Sequence, residues 1–434
     1  MLFRITSTKG EVFFYDSSLT RFYDAFGKKI TFNYTPQIRV DVDDNSYNKE
    51  TLIKTDNTLR TKEGLRRLEI YVGYKCNYRC KYCIQREHNE GGGDFNFDLF
   101  KERFEKANIL NQLTSIKLSG GECLVYWDRV QKFIKYFRDL GYAKHLQIVT
   151  NGELFNDEVC DFCLEHDVDV GFTHDSYTQT YYRHATDYLD NPKTRAAVIR
   201  QLKAKQTSYG QSKSGYVFCV LNPRMIDGIA AVDYLHKKLY EGAPIILYLI
   251  SKYDTSNVHL MTYTKESYEQ LVKNLKSYYK ISPGSKYYAN FWRMVKVKER
   301  AKARIVNEVL PASLLSRCPY QITPNRLSIT YNGDALFCYA CRPEWHTANG
   351  NLGDIDAITY NVKTLKDNLG CLNCPYVLTC GNPCPILTNE EDRRIRCKSI
   401  TPLHRAMFES AVEELLGIDE IKEIVPCDQL GVSI

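Results

Sequence analysis

The chain has 434 residues, of which 44% are hydrophobic and 25% are charged, and its formal net charge is +6. This length predicts two or three domains, and so small a charge gives no reason to expect nucleic acid as a partner. The sequence has no secretory signal and no run of about 18 apolar residues that would span a membrane, so we expect a cytoplasmic protein. In that reducing compartment, sixteen cysteines indicate metal or redox chemistry rather than disulfides.

The first segment, residues 1–66, is rich in strand patterns. Phe3–Ile5 and Val12–Tyr15 flank the turn sequence Thr8-Lys9-Gly10, which predicts a hairpin. Two roles are open for this segment: its strands can pair with a peptide at the edge of their sheet, or they can cap the domain that follows.

Strand and helix patterns then alternate over residues 67–293. An apolar stripe from Val130 to Leu140 that ends at Gly141 predicts one helix, and Asn191-Pro192 predicts the start of another. Serial β–α units of this kind predict an α/β fold with a parallel sheet, open or closed into a partial (β/α)6 barrel of the TIM type. In such folds the chemistry lies at the carboxyl ends of the strands. The six candidate strands are Leu68–Val72, Ser115–Leu118, Leu146–Val149, Val168–Phe172, Tyr216–Leu221 and Ile245–Ile250.

Two segments remain after the alternating region. Residues 294–317 are interpreted as a basic linker helix, whose cations are either solvated or line a groove for an acidic substrate. Those cations are Lys296, Lys298, Arg300, Lys302 and Arg304. Residues 318–434 contain eight cysteines between Cys318 and Cys397 and end in a predicted helix over Ala406–Ile418.

The first cysteine motif follows the first candidate strand of the alternating region directly. Cys76, Cys80 and Cys83 have the spacing C-x3-C-x2-C, and close spacing lets one loop hold an iron–sulfur cluster through its thiolates. Three thiolates leave one iron of a four-iron cubane open for an outside ligand. A structural zinc site is the alternative, but it needs four closed ligands. Cys160 and Cys163 also form a C-x2-C pair, which we interpret as two buried helix residues.

This motif resembles the cluster loop of the radical S-adenosylmethionine (SAM) superfamily. The resemblance implies a 4Fe–4S cluster on Cys76, Cys80 and Cys83, with SAM as the outside ligand and as the source of a 5′-deoxyadenosyl radical that abstracts hydrogen. Ser176 and Cys123 depart from the family pattern, which usually has Gly and Pro there. The implied SAM contacts are Tyr82, Gly120, Gly121, Glu122, Thr150, Asn151, Gly152, Thr173 and Asp175.

The second cysteine group resembles the SPASM domain, an extension that carries two auxiliary 4Fe–4S clusters. The resemblance assigns Cys371, Cys374, Cys380 and Cys397 to the outer cluster. It assigns Cys318, Cys338 and Cys384 to the inner one, with Cys341 as the candidate fourth ligand. A pair of zinc ribbons is the alternative interpretation, because Cys338/Cys341 and Cys371/Cys374 are C-x2-C pairs.

SPASM relatives mostly modify peptides, so the resemblance implies a radical SAM oxidoreductase that oxidises or crosslinks a precursor peptide, as a ribosomal peptide maturase. An external one-electron donor such as flavodoxin or ferredoxin is then a partner. Tyr339 stands where sulfatase-maturing relatives carry an acidic residue; it is a candidate catalytic residue and argues against that activity. The alternatives are a radical SAM dehydrogenase of a sugar, aminocyclitol or nucleoside, and a zinc-binding protein without catalysis.

Overall fold

The computed structural model describes residues 1–35, 62–83, 94–183, 185–205, 215–249, 262–308, 325–337, 348–360, 373–380 and 390–430. Six of the predicted site residues lie outside these ranges: Cys318, Cys338, Tyr339, Cys341, Cys371 and Cys384. None of the described helices is both long and apolar enough to cross a membrane.

The described residues contain fourteen strands and ten α-helices. The strands are β1 (Leu2–Ser7), β2 (Val12–Asp16), β3 (Arg21–Tyr23), β4 (Arg67–Tyr71), β5 (Ser115–Ser119), β6 (His145–Thr150), β7 (Val168–Thr173), β8 (Tyr216–Leu221), β9 (Ile245–Leu249), β10 (Arg326–Thr330), β11 (Ala335–Leu336), β12 (Ala348–Asn349), β13 (Thr359–Tyr360) and β14 (Ile421–Pro426). The helices are α1 (Phe97–Ala107), α2 (Trp127–Asp139), α3 (Asp157–Glu165), α4 (Gln179–Arg183), α5 (Pro192–Ala204), α6 (Gly228–Lys238), α7 (Lys265–Tyr278), α8 (Tyr288–Val306), α9 (Val377–Cys380) and α10 (Glu390–Leu416).

These elements fall into two compact units, each built from separate stretches of chain. The sheet unit comprises Asn57–Thr262 and Tyr320–Val362, and the terminal unit comprises Met1–Asp56, Tyr263–Pro319 and Lys363–Ile434. The predicted domains are continuous segments, and their bounds stay a prediction.

The sheet unit is built on an eight-stranded sheet with the order β11-β10-β4-β5-β6-β7-β8-β9. All six predicted strands are present as β4 to β9, and each pairs in parallel with the next, which confirms the predicted α/β class. β10 adds a further parallel strand beside β4, and β11 pairs antiparallel with β10. These last two strands come from the region that the sequence assigned to the cysteine-rich domain, whose start at residue 318 stays a prediction.

One face of this sheet packs against helices and is apolar. Ile116, Leu118, Leu146 and Ile148 are fully buried, and the burial of each such side chain contributes roughly 1.5–3 kcal/mol. The predicted α2 stripe is confirmed for Val130, Phe133, Ile134 and Phe137, but Leu140 is 41% exposed. The predicted start of α5 is also confirmed, because the Asn191 side chain accepts hydrogen bonds from the backbone N–H groups of Lys193 and Thr194.

The opposite face of β4 and its neighbours is polar. The Glu69 carboxylate lies 3.5 Å from Lys117 Nζ and accepts a hydrogen bond of 3.3 Å from the Ser328 hydroxyl. Burial opposes ionisation of Glu69, but the charges of Lys117 and Arg326 hold its pKa below the ordinary value. Around β4, this face of the sheet is therefore an ion-paired layer.

The terminal unit contains a four-stranded sheet with the order β14-β1-β2-β3. The predicted hairpin is confirmed, because β1 and β2 pair antiparallel from Leu2↔Asp16 to Thr6↔Val12. The other side of β1 pairs with β14, near the far end of the chain. Both strands of the hairpin therefore have neighbours on each side, and neither offers an open edge to a peptide.

Helix α8 corrects the interpretation of the cations of residues 294–317 as solvated or groove-lining for two of them. Lys298 and Lys302 are buried, and both are ion-paired with Glu414 of α10, Lys302 at 2.9 Å. Burial raises the pKa of Glu414, but these two cations outweigh that effect and lower it overall. The alternation of basic residues was visible in the sequence, but the acidic partner lies more than a hundred positions away.

His404 in α10 is predicted to make the stability of the protein sensitive to acid. Burial, and then the charge of Arg396, lower the pKa of His404 to about 4. An unfolded histidine titrates near pH 6.5, so the unfolded chain binds a proton at a higher pH than the folded protein does. The contribution of neutral His404 to stability is therefore fully present above about pH 6.5. It is lost as the pH falls towards 4, by up to about 3 kcal/mol. We expect the melting temperature of the holoprotein to fall more steeply over this range than that of His404→Asn; identical slopes would contradict the assignment.

Candidate active site at the carboxyl ends of the parallel strands

The loop that follows β4 carries the three cysteines of the first motif. Cys76, Cys80 and Cys83 are all partly buried. The Tyr78 backbone N–H donates to Cys76 Sγ at 3.3 Å, and the Cys83 N–H donates to the Cys80 carbonyl at 3.1 Å. These short-range bonds fold residues 76–83, which we call the cluster loop, into a compact turn.

The thiols of this loop interact electrostatically. Burial raises the pKa of Cys76 to about 11 and that of Cys80 to about 12, and the neighbouring Cys83 adds to both shifts. Thiols with such pKa values stay protonated at neutral pH unless a bound cation replaces the proton. Within the described part of the chain, no three His, Cys, Asp or Glu side chains are already grouped as ligands of one metal ion, so the assignment of a cluster stays a prediction.

The two glycines after β5 allow the next loop to approach the cluster loop. The Gly121 N–H donates to the Gly73 carbonyl at 3.0 Å. A Cβ atom on Gly120 would lie 2.5 Å from the Gly73 carbonyl oxygen, and one on Gly121 would lie 2.3 Å from that of Tyr74. Any side chain at either position would therefore push the two loops apart.

Glu122 joins this loop to the end of β6. Its backbone N–H donates to the Lys75 carbonyl at 2.9 Å. One carboxylate oxygen accepts from the Thr150 hydroxyl at 2.6 Å and the Leu124 N–H at 3.0 Å, and the other accepts from the Asn151 N–H at 2.6 Å. The side chain is 2% exposed, and burial raises its pKa. Both oxygens are thus already engaged by the protein.

The turn after β6 is held against the cluster loop. Asn151 Nδ2 donates to Asn77 Oδ1 at 2.7 Å and lies 3.9 Å from Cys76 Sγ. Gly152 has a φ of +86°, and a Cβ atom there would lie 2.6 Å from the Tyr188 ring. Glycine is required at this position both by the backbone conformation and by the close approach.

A buried polar group lies at the end of β7. Arg183 of α4 donates to Asp175 at 2.9 Å and to the Thr173 hydroxyl at 2.7 Å. The Tyr82 hydroxyl donates to the second oxygen of Asp175 at 2.6 Å, so the cluster loop is attached here as well. Burial opposes the charge of Arg183, but Asp175 more than compensates and raises its pKa. Sequence reasoning missed Arg183, because nothing in the pattern of α4 distinguished it from a surface arginine.

Ser176 departs from the family pattern, which usually has Gly there, and its surroundings show how a serine is accommodated. Its φ is +50°, in the left-handed region where glycine is favoured, and a serine there costs roughly 1–2 kcal/mol. Its hydroxyl donates to the Ala231 carbonyl at 3.0 Å. This hydrogen bond to α6 offsets part of the strain.

Several buried polar atoms around this site have no hydrogen-bond partner among the described residues, among them Ser119 Oγ, Gln179 Nε2 and Arg183 Nε. Ser119 and Gln179 are 8% and 1% exposed. Buried polar groups are nearly always hydrogen-bonded in folded proteins. Their donor capacity therefore fits a polar ligand at the carboxyl ends of β5 and β7.

The other cysteines divide into two kinds. Burial, and to a smaller extent the charge of Cys397, raises the pKa of Cys374, and the assignment of both to one outer cluster stays a prediction. Cys160 and Cys163 are fully buried, and the Cys160 thiol contacts the Ala197 carbonyl at 3.6 Å. They belong to the packing of α3, as the sequence predicted.

Comparisons with known proteins agree with this geometry. Residues 70–225 match the model of the radical SAM superfamily. The radical SAM cyclopropyl synthase TigE of Paramaledivibacter caminithermalis is 26% identical over 166 residues, which are 34% of this chain and 34% of TigE. The GTP 3′,8-cyclase of Campylobacter jejuni subsp. doylei is 36% identical over 92 residues, 21% of this chain and 28% of that protein. The matched segments thus span about a third or less of these two relatives.

The solved structure of native anSMEcpe with bound AdoMet has a similar fold. Its TM-score is 0.54 at 16% identity, over 81% of this chain and 100% of that chain. The anSMEcpe structure with AdoMet and the Cp18Cys peptide gives 0.52 at 15% identity, over 81% and 99%. At this level of identity the likeness concerns the fold.

Proposed function

We propose that the protein is a SAM-dependent iron–sulfur oxidoreductase that abstracts hydrogen from a peptide and leaves it oxidised or crosslinked, because residues 70–225 match the model of the radical SAM superfamily. The observation that carries the proposal is that the ends of three neighbouring parallel strands hold this region of the chain. After β5, the Glu122 backbone N–H donates to Lys75, just before the cluster loop. After β6, Asn151 donates to Asn77, and after β7, Asp175 accepts from Tyr82. Parallel-sheet enzymes place their reacting groups at this edge.

The residues at this edge suit the expected cofactors. Cys76, Cys80 and Cys83 would hold a 4Fe–4S cluster, which together with bound SAM supplies a 5′-deoxyadenosyl radical. The unpartnered atoms of Ser119, Gln179 and Arg183 suit a ligand with several polar groups. The proposed SAM contacts remain those predicted from the resemblance: Tyr82, Gly120, Gly121, Glu122, Thr150, Asn151, Gly152, Thr173 and Asp175.

The chain's own part in the reaction is to hold these groups in position and exclude water. Asp175 and Glu122 are 0% and 2% exposed, and each accepts hydrogen bonds at both oxygens, so neither is free to take a proton from substrate. Their work is to fix loop geometry, because a misplacement of about 1 Å at a reacting centre costs about a hundredfold in rate.

Two auxiliary clusters complete the proposal. Cys374 and Cys397 interact electrostatically, which agrees with a shared outer cluster that also includes Cys371 and Cys380. Cys318, Cys338, Cys384 and Cys341 are assigned to the inner cluster from the sequence alone. After loss of a hydrogen atom, a two-electron oxidation of the peptide requires that one further electron leave it, and an auxiliary cluster held by these cysteines would be a suitable acceptor. Tyr339 stays a candidate for hydrogen transfer.

A nucleoside substrate is the second candidate, because the matching segment of the GTP 3′,8-cyclases reaches 36% identity. Analysis of the reaction product distinguishes the peptide from the nucleoside candidate. Incubation of the reconstituted enzyme with SAM, reductant and a candidate precursor peptide is expected to lower the peptide mass by about 2 Da for each oxidation. A peptide unchanged in mass and in deuterium content, together with a converted nucleoside, would favour the second candidate.

Anaerobic reconstitution tests the proposal as a whole. Three 4Fe–4S clusters correspond to about twelve irons per chain, and reduction is expected to release methionine and 5′-deoxyadenosine from SAM. Bound zinc without iron, and intact SAM, would instead support the zinc-binding interpretation and end the proposal of radical chemistry.

A further inference from the structure

The cluster loop and the residue pair before it are strongly basic. Residues 74–83 include Lys75, Arg79 and Lys81 and contain no acidic residue. Lys75 and Arg79 are exposed and Lys81 is half-buried. Arg79 donates to the Cys76 carbonyl at 3.4 Å, so positive charge lies directly beside a proposed cluster ligand.

A second segment brings another cation to the same place. The ring of Tyr181 in α4 has Lys81 Nζ 3.3 Å from its centroid and the Arg224 guanidinium carbon 3.6 Å from it. Arg224 is exposed and lies just beyond the end of β8. One aromatic ring thus holds two cations, one from the cluster loop and one from the neighbouring strand end.

These cations are not neutralised by the described surroundings. Lys75, Lys81 and Arg224 take part in none of the ion pairs formed among the described residues. The adjacent carboxylates are engaged elsewhere: Asp175 is bound by Arg183 and Tyr82, and Glu153 accepts from the Tyr78 hydroxyl at 2.7 Å. Like charges held close together on an exposed surface favour an anionic partner.

We propose that Lys75, Lys81 and Arg224 form a docking surface for an acidic one-electron carrier protein. The inference rests on the proposed function, since only a redox cluster in this loop needs such a partner. Lys75 immediately precedes Cys76, and Lys81 lies between Cys80 and Cys83, so a carrier bound here meets the protein at the cluster ligands themselves. The carrier loses one electron and the oxidised cluster gains it, with no bond made or broken.

Electron-transfer complexes have small interfaces, and charge governs how fast they form. Electron-transfer interfaces lie at the low end of interface size, and complementary charge acts mainly on the association rate and its salt dependence. A peptide substrate with acidic side chains would also be attracted to this surface. The two partners differ in one measurable respect, since only the carrier changes how fast the cluster is reduced.

The test compares Lys75→Glu, Lys81→Glu and Arg224→Glu with a control variant, Lys193→Glu, whose exposed lysine lies at the start of α5. Each holoprotein is mixed anaerobically with reduced flavodoxin, without substrate, and bleaching of the cluster absorbance is followed by stopped flow. We expect each surface variant to lower the second-order rate roughly three- to tenfold at low salt, with the difference lost near 0.5 M salt. The control is expected to match the wild type.

The rate of reduction by photoreduced deazariboflavin, an uncharged donor, is measured in parallel. We expect this rate to change less than about twofold and the iron content of each variant to stay unchanged. If Lys81→Glu loses iron, Lys81→Gln and the other two variants carry the test. Unchanged rates of reduction by flavodoxin and an unchanged salt dependence in all variants would overturn the proposal. This holds also if the variants weaken the binding of an acidic peptide. If the wild-type cluster is reduced but SAM is never cleaved, the proposed function fails while the docking surface stands.

Discussion

Simultaneous replacement of Cys76, Cys80 and Cys83 by alanine is expected to remove about four of about twelve irons per chain and to abolish reductive cleavage of SAM. The physical reason is that burial raises the pKa of Cys76 and Cys80 well above neutral pH, so a bound metal is the species that makes them thiolates. Iron analysis, the visible absorbance of the cluster and chromatography of 5′-deoxyadenosine measure the effect.

The matched control is Cys427→Ala, which removes a thiol that is 2% exposed and lies outside both cysteine groups. It should retain the full iron content and SAM cleavage. Loss of the same amount of iron in the control and in the triple variant, or cleavage of SAM by the triple variant, would show that the cluster loop does not hold the catalytic cluster.

The sequence predicted the parts of this site that depend on local pattern. The strands β4 to β9, the loop spacing of the cysteines and the glycines after β5 are short-range features, and the structure contains them at the predicted positions. The glycines serve a purpose that the sequence did not reveal, because they admit the Gly73 and Tyr74 carbonyls. The close approach of two loop backbones cannot be predicted from the sequence of either loop alone.

Long-range pairing accounts for what the sequence did not predict. β1 pairs with β14, and Lys298 and Lys302 pair with Glu414, all over more than a hundred residues. In each case the local pattern was visible but its partner was not. Charged residues are almost never buried without a partner, so a basic helix whose acidic partner is unknown is naturally mistaken for a solvated one.

Glu122→Ala is expected to be the most damaging single change outside the cysteines. It leaves the Thr150 hydroxyl and the Asn151 and Leu124 N–H groups without their acceptor in a buried site, and each unsatisfied donor costs about 1–3 kcal/mol. Relief of the buried charge offsets part of this, so we expect a net loss of about 2–4 kcal/mol in the free energy of unfolding. SAM binding and cleavage should fall with it, because Asn151, which bonds Asn77 of the cluster loop, loses the acceptor of its backbone N–H.

Glu122→Gln separates the hydrogen bonds from the volume of the side chain. Its single oxygen can serve Thr150 and Leu124, but its amide group then faces the Asn151 N–H, two donors in opposition. Its melting temperature and SAM affinity should lie between those of the wild type and Glu122→Ala, with faster hydrogen exchange in residues 73–83. Glu158→Ala is the control, since that carboxylate is exposed in the first turn of α3 and makes no hydrogen bond to residues 73–83 among the described contacts. If Glu122→Ala were no worse than this control, Glu122 would not be the residue that fixes the cluster loop to the parallel strands.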